Sequence, residues 1–297
     1  MSDRSSANTL SVRSPLPGRT VADEVSCEGV WDTNAGRIVI LIHGYNTSVE
    51  DARSSYTEFK QALAKALPGG REGRLGVVWD FFWPGDDPRA AISLATYNVR
   101  VSEAMRSALP FAEFLGRQSS KLRVVLVAHS LGCRVALETL RAIRLAEPYG
   151  GAQIEAVFLL AAAVPTRQCR TEASYPEPHP RCREHVVSSR HDAVLLLAFR
   201  PGQYVSAGGD AWYERGPAVG RDGSPDDRWS TRRPTKLGHG DYWGSDEVAR
   251  WICATLGVLA DRGIGERPAP TCRVSESRQF ARRRHIPSRL IRARHTR

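Results

Sequence analysis

The 297-residue chain is 41% hydrophobic, enough for a sizeable core in one large domain, and carries a formal net charge of +10. That charge is unevenly placed, because Asp261 to Arg297 holds 11 arginines against Asp261, Glu266 and Glu276, a net of +8 that leaves about +2 for the rest. A basic field around the folded body is excluded, and with it the expectation of a specific nucleic-acid partner.

Residues 1–34 are rich in Ser, Pro and charge and read as a flexible leader with at most one short strand. "RIVILIHG", Arg37 to Gly44, is a β-branched apolar run ended by glycine, the pattern of a strand buried on both faces. "SVEDARSSYTEFKQALAKAL" follows with Ser48 or Thr47 as N-cap and Ala52, Tyr56, Phe59, Leu63 and Leu67 at helical spacing. The unit repeats as "LGVVWDFFWPG" and a long helical stretch that Pro110 is expected to interrupt, then as "LRVVLVAHS" and a helix from Leu131 to Leu145, before "IEAVFLLAAAV" gives another buried strand.

Residues 165–184 are proline-rich and polar, and 201–238 are rich in Gly, Asp, Arg and Trp, so both are expected to be loop or lid insertions. Between them "HVVSSRHD" reads as a strand. "SDEVARWICATLGVLA" closes the body with an amphipathic helix capped by Ser245, with Val248, Trp251, Ile252, Thr255 and Leu259 on one face. Serial alternation of strand and helix over residues 35–260 predicts a doubly wound α/β domain, a mostly parallel sheet with helices on both faces. Residues 261–297 read as a basic, solvated tail, able at most to contact anionic surfaces weakly.

Six cysteines, Cys27, Cys133, Cys169, Cys182, Cys253 and Cys272, lack paired metal spacing and the density of a disulfide scaffold. They are expected to be reduced thiols, Cys169 and Cys182 pairing only in an oxidising compartment. No histidine pair has zincin spacing, so no metal or organic cofactor is expected. No stretch approaches a membrane span and the N-terminus lacks a signal-peptide apolar core, which makes the cytoplasm the expected compartment.

In "VAHSLGC" Ser130 falls between a strand and a helix, flanked by the small residues Ala128 and Gly132, the sequence of a nucleophile elbow of G-x-S-x-G type with Ala in the first place. Such a serine is often only a helix cap, so its surroundings decide. The Leu131 N–H at the helix start and the Tyr45 N–H after "IHG" stand where an oxyanion hole needs two donors, Gly44 lets the backbone approach, and His43 is expected to order that loop. Downstream, Asp192 after "SSRH" and His239 in "LGHGDYW" follow Ser130 in the order nucleophile, acid, base. Asp210, Asp222, Asp226 and Asp227 lie in the long insertion and Asp241 is too near His239 to orient its ring, while His185 and His191 flank the acid and His129 points away from the nucleophile.

"ILIHGYNTSVEDA", "FFWPG", "LVAHSLGCRVALETL", "SSRHDAVLL" and "GHGDYW" together resemble the α/β-hydrolase superfamily, and more narrowly its bacterial lipase/esterase-like branch, the domain of unknown function 900 type. The resemblance covers Arg37 to Leu259 and implies the α/β-hydrolase fold and a serine hydrolase with Ser130, Asp192 and His239 as triad. The family tends to carry an acidic residue after "VFLLAAAV"; here Val164 and Pro165 are followed by Thr166, which further directs the acid role to Asp192.

The expected activity is hydrolysis of a small-molecule acyl ester through an acyl-enzyme on Ser130. A thioester, an amide or acyl transfer would use the same residues. The alternative from another class is a binding protein that keeps the fold and has lost catalysis. The aromatics of "FFWPG", "YVSAGGDAWYERG" and "DYWGS" are candidates for an acyl pocket or for core, with core favoured for Trp79 and Trp251.

Overall fold

A computed structural model describes residues 8–16, 20–32, 35–67, 72–86, 93–146, 150–169, 182–199, 201, 216–224, 229–233 and 236–259. All of them belong to one compact unit, Met1–Ala260. The basic tail lies outside the described residues, as do 170–181 and 202–215 of the two insertions.

The centre is an eight-stranded sheet of β1 (Thr9–Arg13), β2 (Val21–Glu28), β3 (Arg37–Ile42), β4 (Val77–Phe82), β5 (Arg123–His129), β6 (Gln153–Leu160), β7 (Arg183–Val187) and β8 (Ser230–Arg232), in the order β2-β1-β4-β3-β5-β6-β7-β8. Only β1 and β2 pair antiparallel; every other neighbouring pair is parallel. The middle strands are apolar on both faces because both are covered: all of β3 and Val124 to His129 of β5 are buried.

Chain direction places the helices. From β3 the chain passes through α1 (Val49–Ala66) and the short α2 (Glu72–Leu75) to β4 on one side, then through α3 (Ser93–Gly116) across to β5 on the other, and on through α4 (Gly132–Leu145) to β6. Right-handed crossovers that run in opposite directions put their helices on opposite faces. Accordingly α3 packs with α4, and α1 with the last helix, α7 (Asp246–Thr255). The reversal occurs between β3 and β5, and a ligand crevice in such a sheet lies outside the carboxyl ends of the strands at that point.

Several expectations are corrected. The leader supplies β1 and β2, with Leu10 and Val12 fully buried, and so belongs in part to the sheet. Helix α3 runs through Pro110 without interruption, its packing against α4 and β2 outweighing the lost hydrogen bond. Ser48, not Thr47, caps α1 by accepting from the Asp51 N–H at 3.1 Å. Helix α7 stops at Thr255, before Leu259, because Gly257 takes a left-handed φ of +67° and Val258 N–H turns back to the Cys253 carbonyl.

The two insertions also give residues to the body. Thr166–Cys169 forms a 3-10 turn with Thr166, Gln168 and Cys169 buried, and Pro165 bridges to Ala218. Within 201–238, α6 (Val219–Asp222) packs against β7, its Gly220 N–H bonds the Ala162 carbonyl just beyond β6, and β8 extends the sheet. Among the described residues Cys27, Cys133, Cys182 and Cys253 are free thiols, and no helix is long and apolar enough to cross a membrane.

Candidate active site

Ser130 follows the last residue of β5 with φ +52°, a left-handed conformation that costs a non-glycine residue of order 1–2 kcal/mol. The turn is held on both sides: Ser130 N–H donates to the Leu160 carbonyl at 2.9 Å, and its own carbonyl accepts from Ala163 N–H at 3.1 Å and Cys133 N–H at 3.2 Å. Both flanking glycines are required by space. A Cβ on Gly132 would stand 2.2 Å from the His43 carbonyl oxygen, and one on Gly44 would stand 2.9 Å from Ser130 Cβ. The end of β3 and the head of α4 therefore meet at Ser130, bringing Tyr45 and Leu131 to the segments that border it.

His43 is bonded into this meeting. Trp83 N–H donates to its Nε2 at 3.3 Å, so Nδ1 carries the proton and donates to the Gly44 carbonyl at 2.9 Å. Trp83 Nε1 returns a bond to the His43 carbonyl at 2.8 Å, with the two rings stacked. Burial pushes the His43 pKa down to about 4, so the ring stays neutral.

His239 lies across from Ser130 in a turn before α7. Its Nδ1 is 2.8 Å from Asp192 Oδ2 and its Nε2 is 2.9 Å from Ser130 Oγ. A carboxylate only accepts, so Nδ1 carries the proton and Nε2 of the neutral ring accepts from the hydroxyl. Asp192 is fully buried, and its other oxygen accepts from Leu195 N–H at 2.8 Å, capping α5 (Ala193–Leu197). One carboxylate thus fixes an imidazole and starts a helix.

The His129 side chain points away from the serine and serves the loop opposite, its Nε2–H donating to the His239 carbonyl at 2.7 Å. Burial, and then the neighbouring His239, lower its pKa to about 3. The competing residues lie elsewhere: Asp222 pairs with Arg221, Asp241 accepts from Gly238 N–H, His185 is buried within β7, and His191 sits on the exposed turn before Asp192. Asp210, Asp226 and Asp227 are outside the described residues.

Ser130 and His239 open into a cavity of about 400 Å³ lined mainly by apolar groups, among them Tyr45, Tyr97, Ala163, Leu195 and Phe199. That size falls within the usual range for small-molecule sites. Of the aromatics that were candidates for this pocket or for core, the described ones are core: Phe81 packs on Phe111, Phe82 on Tyr56, and Tyr242 and Trp243 are buried, while 204–215 is outside the described residues. Trp79 is core as expected and Trp251 is partly buried against it. The lining is gathered from the turn after β3, from α3, from the segment after β6 and from α5 with the residues that follow it, stretches far apart in the chain whose apolar members pass for core. Among the described residues no group of three or more His, Cys, Asp or Glu side chains is placed to hold a metal ion.

A family model described as "Alpha/beta hydrolase of unknown function (DUF900)" matches residues 22–209. The chain belongs to this family. The match begins inside β2, in agreement with a sheet that starts before residue 35, and it ends before His239. Solved structures similar to this α/β-hydrolase include esterase PE8, at 14% identity over 75% of this chain and 93% of that one with a TM-score of 0.38. The RedJ thioesterase from the prodiginine biosynthetic pathway of Streptomyces coelicolor is 12% identical over 77% and 88%, TM-score 0.38. A putative hydrolase of the alpha/beta superfamily from Xanthomonas campestris pv. campestris is 16% identical over 75% and 99%, TM-score 0.33. None of the curated proteins matches the chain.

Proposed function

We propose that this α/β-hydrolase cleaves a carboxylic ester of a small molecule through an acyl-enzyme on Ser130. The observation that carries the reading is the unbroken relay of Ser130 Oγ to His239 Nε2 at 2.9 Å and His239 Nδ1 to Asp192 Oδ2 at 2.8 Å. Ser130 Oγ attacks the ester carbonyl while Nε2 takes its proton, and Asp192 stabilises the imidazolium that forms. The carbonyl oxygen, now an oxyanion, is received by the backbone N–H groups of Tyr45 and Leu131, the latter at the positive end of α4. The tetrahedral intermediate collapses by breaking the bond to the alcohol, which leaves with the proton from Nε2. Water, deprotonated by the same nitrogen, then releases the acid and restores Ser130. Thioesters fit the same sequence of steps. Cys133, Cys182 and Cys253, buried as free thiols, agree with a reducing compartment, and the cytoplasm is the one proposed.

The test is labelling by a fluorophosphonate probe, read by intact mass, together with turnover of p-nitrophenyl acetate. Wild type is expected to take one probe and hydrolyse the ester; Ser130→Ala is expected to do neither. A folded wild-type protein that takes no probe overturns the reading.

A further inference from the structure

Helix α5 has no polar residue: Ala193, Val194, Leu195, Leu196 and Leu197 run on into Ala198 and Phe199. A helix apolar on every side is normally buried on every side. Here only the inner side is, with Leu195 and Phe199 3% and 4% exposed, whereas Val194, Leu196 and Leu197 are 48%, 47% and 71% exposed. Single exposed aliphatics are ordinary, but three on five consecutive residues form a patch that needs an occupant.

Val194 belongs to two surfaces at once, since it lines the cavity that holds Ser130 and His239 and is half exposed at its rim. Leu197 stands three residues on, on the same side of the helix, so the apolar lining continues out of the cavity along α5. The patch is also fixed relative to the reacting atoms, because the carboxylate that caps α5 is the one bound to His239. An alcohol or other polar leaving group would find nothing to pair with on this helix.

Resting on the ester-hydrolase reading, we infer that α5 is an acyl-chain track, and that the substrate class is esters of linear aliphatic acids long enough to pass beyond the cavity. The first carbons of the chain fill the cavity against Leu195 and Phe199, and the later ones lie across Val194 and Leu197. Five residues of helix give a track of about 7.5 Å, so an acyl group of about eight carbons reaches it and an acetyl group does not. A methylene fully buried favours binding about fourfold; on a half-open face about twofold is expected for each.

The experiment measures kcat/KM for p-nitrophenyl acetate, butyrate, octanoate and decanoate, all below micelle-forming concentration, with wild type, Leu197→Asp and Leu145→Asp. Leu145 is a 76%-exposed leucine at the end of α4, outside the cavity lining, and serves as the control. Wild type and Leu145→Asp are expected to gain about tenfold or more from acetate to octanoate and to gain further to decanoate, and Leu197→Asp to keep the gain up to butyrate and lose most of that beyond it through KM. A wild-type profile that is flat or falls beyond butyrate overturns the inference, as does a Leu197→Asp profile equal to wild type. A gain that is absent below the micelle threshold and appears only when the octanoate and decanoate assays are repeated above it overturns the inference too, assigning the patch to a lipid surface. Each of these leaves the hydrolase reading standing as long as acetate is turned over and the probe labels Ser130; loss of both in wild type is the failure of that reading instead.

Discussion

The His129 ring and the His239 backbone are joined by one short hydrogen bond, Nε2–H to carbonyl at 2.7 Å, so the residue before the candidate nucleophile holds the loop of the candidate base. Both candidate residues are thereby tied to the end of β5. His129 touches neither the serine hydroxyl nor the acid, and its role is positioning. Replacing it with Phe keeps the ring and removes the donor, which lets the His239 turn shift. A misplacement of about 1 Å costs on the order of 10²-fold in rate. His129→Phe is therefore expected to lower kcat for p-nitrophenyl acetate by about that factor with KM nearly unchanged, and His129→Gln, which keeps a donor, to recover part of it. A fall in stability with full kcat in the folded fraction would mean that the bond is structural only.

Asp192 has two duties on separate oxygens, and two substitutions separate them. In Asp192→Asn the amide oxygen still accepts from Leu195 N–H, and the amide nitrogen then faces His239 Nδ1. That donor forces the ring into the other tautomer, with the proton on Nε2 toward Ser130, where it blocks proton transfer. The loss in kcat is expected to reach about 10⁴-fold with little change in thermal stability. Asp192→Ala removes the helix cap as well and is expected to cost a further ~1 kcal/mol or more in urea unfolding. Equal stability of the two variants would show that the cap contributes nothing.

The meeting of Ser130, Asp192 and His239 was legible because each sits at a sequence boundary that the fold reuses: a strand end, a turn before an apolar helix, a glycine-flanked turn before the last helix. Chain order supplied the rest. What was not legible lacks local contrast. In β1, "TLSVR" has only Leu10 and Val12 as apolar residues, too short an alternation to stand out, and the eight residues of β2 are mostly exposed. All three residues of β8 are exposed, so that strand is defined by its pairing with β7 and by nothing in its composition. Pro110 signals a break that tertiary packing overrides. The cavity lining was hidden for a different reason: Tyr97 and Phe199 are aromatic residues on separate segments, and only their sharing one cavity with Ser130 distinguishes them from core.

The elbow's demand for glycine gives a stability prediction. Gly132 lies where an added methyl would meet the His43 carbonyl, a backbone atom that cannot turn aside. Gly132→Ala is expected to destabilise the domain by about 3 kcal/mol, at the upper end for overpacking, and to lower activity by spreading the two segments that border Ser130. Gly257→Ala is the comparison, with φ +67° but open space around it, and is expected to cost about 1 kcal/mol from backbone strain alone. Thermal unfolding of both variants checks the order; equal losses would mean that the elbow relaxes around the methyl.

Three buried histidines predict how stability depends on pH. His43 and His185 are lowered to about 4 and His129 to about 3, each by burial first, against about 6.5 in the unfolded chain. Below pH 6.5 the unfolded state binds the protons that the folded state refuses. Their contribution is therefore complete above 6.5, is lost as pH falls towards 4 and then 3, and changes no further below. Each ring contributes a slope of up to about 1.4 kcal/mol per pH unit in that window. His185 isolates one of the three, because it stacks on Phe158 and lies edge-on to Trp251, and neither of its nitrogens has a hydrogen-bond partner among the described residues. His185→Phe preserves the stack without the titration. It is expected to raise stability at pH 5 by about 2 kcal/mol and to remove about one proton from the slope between pH 6 and 4.5, with little effect at pH 8 beyond the gain from losing two unpaired nitrogens. Urea unfolding at a series of pH values reads both quantities, and an unchanged slope would mean that His185 is protonated in the folded protein.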